Sequence, residues 1–332
     1  MNSIRTWAVL LVVASLLVAC GEDGSTSEAE AEAEDAAWAF RDDADEEISL
    51  DASPERIVMF EDVAASMIDL DVEPAGIHYI NGVDGNRLFE DVDLDGVETV
   101  GTECEKLNVE ALAALEPDLI VYMLWGEETF CLTPEQVELA EDVAPVLKIQ
   151  AVGESNAIRD RYIELAEALG ADLDSAEQVE KRERFEAAET RLEAAVAARP
   201  EISVIPMSLA PDYAGIAEPS AYPDLITLRD DFGVRFTGPF DPAAPSTDTY
   251  WEEMSAETIA EFRGDVIMMD AKNETPLSDK LASYPLWAGL PEVQAEQVVP
   301  WWVPGSFSYT RDAEALETLA EAIENAEDHV AD

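Results

Sequence analysis

Short apolar runs alternate with amphipathic stretches over residues 55–150 and again from residue 201 onward, and between these blocks the alternation stops. "RIVMF" (56–60) reads as a buried strand and "EDVAASMIDLDV" (61–72) as a helix. "AGIHYI" (75–80), "VETVG" (97–101), "PDLIVYM" (117–123) and "PVLKIQ" (145–150) read as further strands. "NVEALAALE" (108–116) and "TPEQVELAEDVA" (133–144) are helical by apolar spacing, with Asn108 and Thr133 as N-caps and Pro134 at the first helical position. Residues 155–199 hold two long helical patterns with no strand between them, closed by Pro200. Strands then resume at "EISVIPM" (201–207), "VRF" (234–236), "DVIMMD" (265–270) and "QVVPWW" (297–302), with helices over 255–262 and 311–329. Strand–helix alternation argues a parallel sheet covered by helices on both faces.

The fold class is therefore α/β: two Rossmann-like lobes with parallel sheets, joined by a long helical linker, with a ligand cleft between the lobes. The N-terminal lobe is assigned to 51–153, the linker to 154–199, and the C-terminal lobe with its final helix to 200–332. Residues 1–19 have the layout of a secretory signal: Arg5, an apolar run over Trp7–Val18, then small Ala19. That run is shorter than the roughly 20 apolar residues a membrane span needs. Leu17-Val18-Ala19-Cys20 resembles the lipobox of bacterial lipoproteins, which implies that Cys20 carries the lipid anchor. Residues 20–50 are rich in Glu, Ala, Ser and Asp and are assigned to an acidic tether.

The chain has 74 acidic against 19 basic residues, a net charge of −55. Beyond the tether the acids are scattered through helices and loops, which makes a solvated shell rather than a tail. The pattern is similar to proteins of high-salt organisms, where the Debye length contracts to about 3 Å at 1 M. At low salt, self-repulsion works against the compact state. Nucleic acid is excluded as a partner, because phosphate binding needs a basic patch.

Four stretches carry a family likeness: "PERIVMFEDVAASMIDLDVEPAGI", "VGTECEKLNVEALAALEPDLIVY", "WEEMSAETIAEFRGDVIMMD" and "YPLWAGLPEVQAEQVVPWW". In this order, with the lipobox and the helical linker, they resemble the substrate-binding lipoproteins of iron-siderophore and cobalamin importers, the helix-linked class of periplasmic binding proteins. "EDVAAS" after the first strand is more acidic than relatives usually are. The resemblance implies a monomeric receptor outside the membrane, with no enzymatic activity and no cofactor. Its cargo would be an Fe(III)-siderophore chelate, with cobalamin or haem as alternatives. Its partners would be an ABC permease with its ATPase, and the lipid bilayer through Cys20.

In such a fold the C-terminal strand ends face a shared cleft. The loops there are Glu61–Asp62, 79–87, 102–106 and 123–130 in the first lobe, and 208–222, 236–250, 271–275 and 302–309 in the second. Aromatic residues crowd them, and aromatic walls suit a flat or greasy chelate. The ligand-binding candidates are Tyr79, Trp125, Tyr213, Tyr222, Trp302 and Tyr309, although an aromatic in such a loop can also pack beneath it. Trp125 falls just beyond "DLIVYM", where relatives place a cleft aromatic. Trp301 and Trp302 are adjacent and must face opposite sides of a strand; Trp302 is assigned to the cleft. Arg87 is the Arg of the N-lobe cleft loops, and its fork suits carboxylate or hydroxamate oxygens. Arg311 is a weaker candidate.

Cys104 and Cys131 follow successive strands of one β-α-β unit, so their loops share a sheet edge, and outside the membrane a disulfide between them is favoured. The two His residues are too few for a bare-metal site; His78 reads as a satisfied core residue and His329 lies near the C-terminus. Relatives present one Glu from each lobe to the permease, which implies Glu127 or Glu135 on the first lobe and Glu218 on the second. A membrane-tethered enzyme is the alternative of another class, and an inert adhesion module a third. No Gly-x-Ser-x-Gly elbow and no phosphate-cradling glycine loop supports the enzyme, although paired carboxylates keep it open. The acidic shell favours neutral or weakly charged hydroxamate-type cargo over an anionic catecholate.

Overall fold

The computed structural model of the protein describes residues 38–80, 82–83, 86–90, 92–210, 213–241, 250–259, 261–271, 279, 285–301 and 307–328. An antiparallel hairpin comes first, β1 (Trp38–Arg41) and β2 (Glu47–Leu50). It lies in the stretch that composition assigns to the tether. Trp38 and Phe40 alternate inward, stack with centroids 6.2 Å apart and join the core of the first lobe. Trp38 Nε1 donates to the Ala168 carbonyl at 2.7 Å. Asp42 ties the turn: its Oδ1 accepts from Ala44 N and Glu46 N at 2.9 and 2.8 Å, and its Oδ2 from Lys148 N at 3.1 Å. Packed structure therefore reaches back to Trp38, ahead of the expected boundary at residue 51.

The first lobe then follows the predicted alternation: β3 (Ile57–Phe60), α1 (Glu61–Asp69), β4 (Gly76–His78), β5 (Glu98–Gly101), α2 (Val109–Ala114), β6 (Leu119–Trp125), β7 (Glu128–Thr129), α3 (Pro134–Glu141) and β8 (Val146–Gln150). β5, β4, β3, β6 and β8 form a parallel sheet in that order, and β7 folds back antiparallel on the end of β6. Every residue of β3 is buried, as befits a strand covered on both faces. Asn108 caps α2 by accepting from Ala111 N, and Thr133 forms a reciprocal capping box with Gln136.

The linker is two helices, α4 (Ser155–Ala168) and α5 (Ala176–Ala198). The second lobe holds β9 (Ser203–Ala210), β10 (Tyr213–Ala217), α6 (Pro223–Asp230), β11 (Arg235–Phe236), β12 (Trp251–Glu253), α7 (Ala256–Ile259) and β13 (Val266–Asp270). It continues with α8 (Pro285–Ala288), α9 (Pro291–Gln294), β14 (Val298–Trp301) and α10 (Tyr309–Asn325). β11, β13 and β14 are parallel to their neighbours, as expected. β10 and β12 are not: each runs antiparallel to the strand before it in the sheet, so this sheet is mixed. Residues 208–210 and 213–217, expected within a cleft loop, are instead paired antiparallel in the sheet.

The two lobes meet on helices. α4 buries Ile158, Tyr162 and Leu165 in the first lobe's core. α5 runs parallel to α10, with Arg184 forked onto Glu317 and, two turns on, Arg191 forked onto Glu324. The start of α10 returns to the first lobe. Phe307 N donates to Ser66 Oγ at 2.9 Å and Thr310 Oγ1 to Asp69 Oδ1 at 2.6 Å. The Asp69 carbonyl also accepts from Gln178 Nε2 and Lys181 Nζ of α5, each at 2.8 Å. At the centre of the joint, Arg159 of α4 pairs with Asp312 of α10, and its guanidinium lies 4.0 Å from the centre of the Phe185 ring of α5.

Two acids at this joint titrate late. Burial pushes the Asp224 carboxyl up to about 6, against the Trp301 Nε1–H that it accepts. Burial likewise pushes Asp312 up to about 6, against the pull of Arg159. Both folded-state values exceed the unfolded one, so the folded chain holds protons that the unfolded chain releases. Ionising these acids destabilises the fold, the penalty is complete above about pH 6, and it is relieved as the pH falls toward 4. Asp224→Asn should therefore raise unfolding stability by about 1–2 kcal/mol near pH 7.5, by about a third of that near pH 4.5 and by nearly nothing near pH 3.5. Urea melts in molar salt measure this, and a pH-independent effect would contradict the assignment.

Candidate functional site

The strand ends that face one another carry aromatic rings. β6 is apolar to its last residue, Trp125, and stops because Gly126 turns the chain with φ 70°. Gln150 fixes that turn from the next strand, its Oε1 accepting from Gly126 N at 3.2 Å and its Nε2 donating to Gly126 O at 3.0 Å. The hairpin that follows is tied to the loop after β5 by a disulfide between Cys104 and Cys131, and by Glu105 N donating to Cys131 O at 3.0 Å. Trp125 is thus presented on a braced support.

Trp125 packs against the cores of both lobes. Its Nε1 donates to Tyr250 Oη at 2.6 Å. Its ring lies 6.0 Å from Phe130, 5.6 Å from Tyr250 and 6.3 Å from Tyr222, centroid to centroid. Tyr222 continues the contact to Trp251 at 5.7 Å and to Trp301 at 5.4 Å. Tyr250 is held beside β10 because its carbonyl accepts from Glu218 N at 3.0 Å. One aromatic wall therefore runs from Phe130 on the first lobe to Trp301 on the second. The segments that build it, residues 119–135, 218–224 and 250–253, contain Glu and Asp but no Lys or Arg.

Of the residues expected in the cleft, Trp125 and Tyr222 are in this wall, Trp125 on its half-buried side and Tyr222, like Trp301, as buried backing. Tyr79 is equally buried but packs away from the wall, edge-on against Phe89 at 5.5 Å. Burial and the nearby Glu61 push its phenol up to about 12. Tyr309 opens α10 and packs on Phe185 at 5.7 Å, in the helical joint rather than the cleft, because Ser66 and Asp69 hold the start of α10 against the first lobe. Arg311 pairs within its own helix, with Glu314 at 3.3 Å. Trp302, Cys20, His329 and the side chains of Arg87 and Tyr213 lie outside the described residues.

The expected loop residues Glu61 and Asp62 are fully buried. Glu61 Oε2 accepts from Ile80 N and Asn86 Nδ2 at 2.9 and 3.0 Å, so this acid shapes the loop from below. Glu127 and Glu135 are exposed, as a docking role requires. Glu218 is 5% exposed and its carboxylate accepts from Ser220 N, so it presents no charge to a partner. His78 is buried with both ring nitrogens engaged, Nδ1 with Tyr122 Oη at 2.7 Å and Nε2 with Glu103 O at 3.0 Å. Among the described residues no cluster of His, Cys, Asp and Glu is arranged to hold a metal ion. Phe130 and Tyr250 end two of the expected cleft loops but are not among the ligand-binding candidates, and Trp251 lies just beyond them; all three join the wall. Tyr250 and Trp251 follow a stretch with no periodic pattern, and only their adjacency hints at a strand.

Residues 89–301 match the family model described as periplasmic binding protein. No curated protein sequence matches the chain. Among solved structures, the chain is similar to DesE, a ferric-siderophore receptor protein from Streptomyces coelicolor. It is 31% identical, with a TM-score of 0.79, and the match covers 87% of this chain and 99% of that one. The siderophore periplasmic binding protein of the fuscachelin gene cluster of Thermobifida fusca is 23% identical, with a TM-score of 0.60 over 82% of this chain and 97% of its own. FeuA of Bacillus subtilis, a triscatecholate siderophore binding protein, is 17% identical, with a TM-score of 0.62 over 86% and 97%. At those identities the last two speak for the fold alone.

The cross-lobe hydrogen bond should couple its two residues. In a double-mutant cycle of Trp125→Phe and Tyr250→Phe, denaturation in molar salt should give a coupling energy of about 1 kcal/mol. Additive effects would mean that the lobes do not meet through this pair.

Proposed function

Because the chain belongs to the periplasmic binding protein family, we propose that it is the extracytoplasmic receptor of an ABC importer, capturing a ferric siderophore and delivering it to the membrane permease. The observation that carries this reading is the aromatic wall across both lobes, on a chain similar along nearly its whole length to DesE. The wall's half-buried rings, Trp125, Phe130, Tyr250 and Trp251, contact the apolar rim of the chelate, with buried Tyr222 and Trp301 behind them, while the lobes exclude water around it. Such a receptor binds its solute and does not transform it.

The charge of the wall's surroundings selects the cargo class. A ferric tris-catecholate is strongly anionic and would sit against Glu127, Glu128, Glu252 and Glu253 with no Lys or Arg on the same segments. A neutral or weakly charged ferric hydroxamate carries no such penalty. The exposed Glu127 and Glu135 are the first lobe's docking groups for permease arginines. Among the described residues no helix is long and apolar enough to cross a membrane. Attachment is instead assigned to lipid on Cys20, with the acidic segment ahead of Trp38 as the leash. The protein works as a monomer in a high-salt setting that screens its charge.

A tryptophan-fluorescence titration at about 1 M salt, where the Debye length is ~3 Å, tests the reading. Ferric hydroxamate should quench with a Kd below about 1 µM, near −8 kcal/mol, and Trp125→Ala should weaken it by at least tenfold. Ferric catecholate, cobalamin and haem should bind more weakly. Preferred binding of cobalamin or haem would move the protein to another cargo, and no binding by any of the four would sink the receptor reading.

A further inference from the structure

The aromatic wall has a second side. Behind Trp301 lies a cavity where α4, α5, α6, β14 and α10 meet. Its volume is ≈ 70 Å³, and at ~10–15 Å³ per water-sized group that is room for about five to seven non-hydrogen atoms. Phe185, Phe232, Met268 and Leu316 supply an apolar lining, and Arg159, Glu189, Asp224 and Asp312 add charge.

The positive group in this set is already engaged. Arg159 Nη1 binds Asp312, its Nη2 binds Asn156 Oδ1, and its face covers the Phe185 ring. No fork remains for an anion. The unmatched charge is negative. Asp224 accepts from neutral donors, Trp301 Nε1–H and the backbone amides of its own helix turn. Glu189 is half-buried, burial raises its carboxyl, and Arg159, the opposing charge nearby, is paired elsewhere. A separate feature also indicates a missing polar partner. Ser155 lines the same cavity at 8% exposure, and its Oγ has no hydrogen-bond partner among the described residues. A buried hydroxyl left in that state costs free energy that a ligand N–H recovers.

We propose that this cavity binds a small organic cation, an ammonium group on an apolar stem of about four carbons. Glu189 and Asp224 match its charge, Ser155 Oγ accepts one ammonium N–H, and the phenylalanine and leucine side chains cover the stem. An anion would meet two carboxylates, and a bare metal ion would leave the apolar lining uncovered. The site is separate from the cargo cleft and does not rest on the cargo assignment. The two are still in touch, because Trp301 lines the cavity and also meets Tyr222, which meets Trp125. Any coupling between cation and cargo must then be reciprocal.

The test uses the full chain without siderophore, near pH 8, about two units above the Asp224 value of about 6. Total chloride is held at about 1 M to screen the surface, and n-butylammonium replaces sodium stepwise. n-Butanol keeps the stem without the charge, and n-butyrate reverses the charge. n-Butylammonium alone should give a saturable rise in Tm and a shift of tryptophan emission, with half-saturation in roughly the millimolar range that a five-atom ligand reaches. Glu189→Gln and Ser155→Ala should each weaken the half-saturation by about fivefold while the protein stays folded by circular dichroism. The proposal is overturned by equal responses to n-butanol or n-butyrate, by no saturable response, or by a response that both substitutions leave unchanged.

Discussion

Arg159 carries its charge into a joint where it is only 5% exposed. It comes from α4, whose apolar face belongs to the first lobe. Its carboxylate partner, Asp312, comes from α10, and the ring beneath it, Phe185, from α5. Removing one member of a buried pair typically costs about 3–5 kcal/mol, because the other is left charged and unmatched. The three helices are therefore held as a set, and none separates without exposing the others. Asp69 and Ser66 reinforce the joint from the first lobe, by holding the start of α10 and the first turns of α5. The two lobes are thus tied at one packed joint of three helices.

The same economy of cations explains the surface. Only 19 basic residues face 74 acidic ones, and Arg159, Arg161, Lys181, Arg184, Arg191 and Arg199 all bridge elements at or near the joint. The exposed forks between α5 and α10 set the parallel register of the two helices more than they stabilise it, since salt screens them. The segments that build the wall between the lobes, residues 119–135, 218–224 and 250–253, contain no Lys or Arg. Trp125, braced by Gln150 and the Cys104–Cys131 bridge, meets the second lobe through Tyr250 and Tyr222.

Much of this architecture is legible in the sequence, and the failures have physical causes. The apolar runs around Ile57–Phe60 and Leu119–Met123 announce buried strands, and Asn108 and Thr133 announce helix starts, because those signals are local. The hairpin at Trp38–Leu50 hides because acids fill its exposed positions, and its turn is held by Asp42 through bonds to backbone that composition cannot reveal. Tyr79 follows a strand end yet turns under its loop, since burial against Phe89 outweighs exposure at the cleft. Glu218 reads as a surface acid in a chain full of them and is buried. Tyr250 gains its role from a partner 125 residues away, which no local pattern encodes.

Hydrogen exchange with and without a ferric tris-hydroxamate, in molar salt, tests the central claim most directly. Cargo held between the lobes should slow exchange at residues 122–130, 218–222 and 250–253, the segments that carry Trp125, Tyr222 and Tyr250. Protection confined to other segments, or none at saturating chelate, would contradict the account.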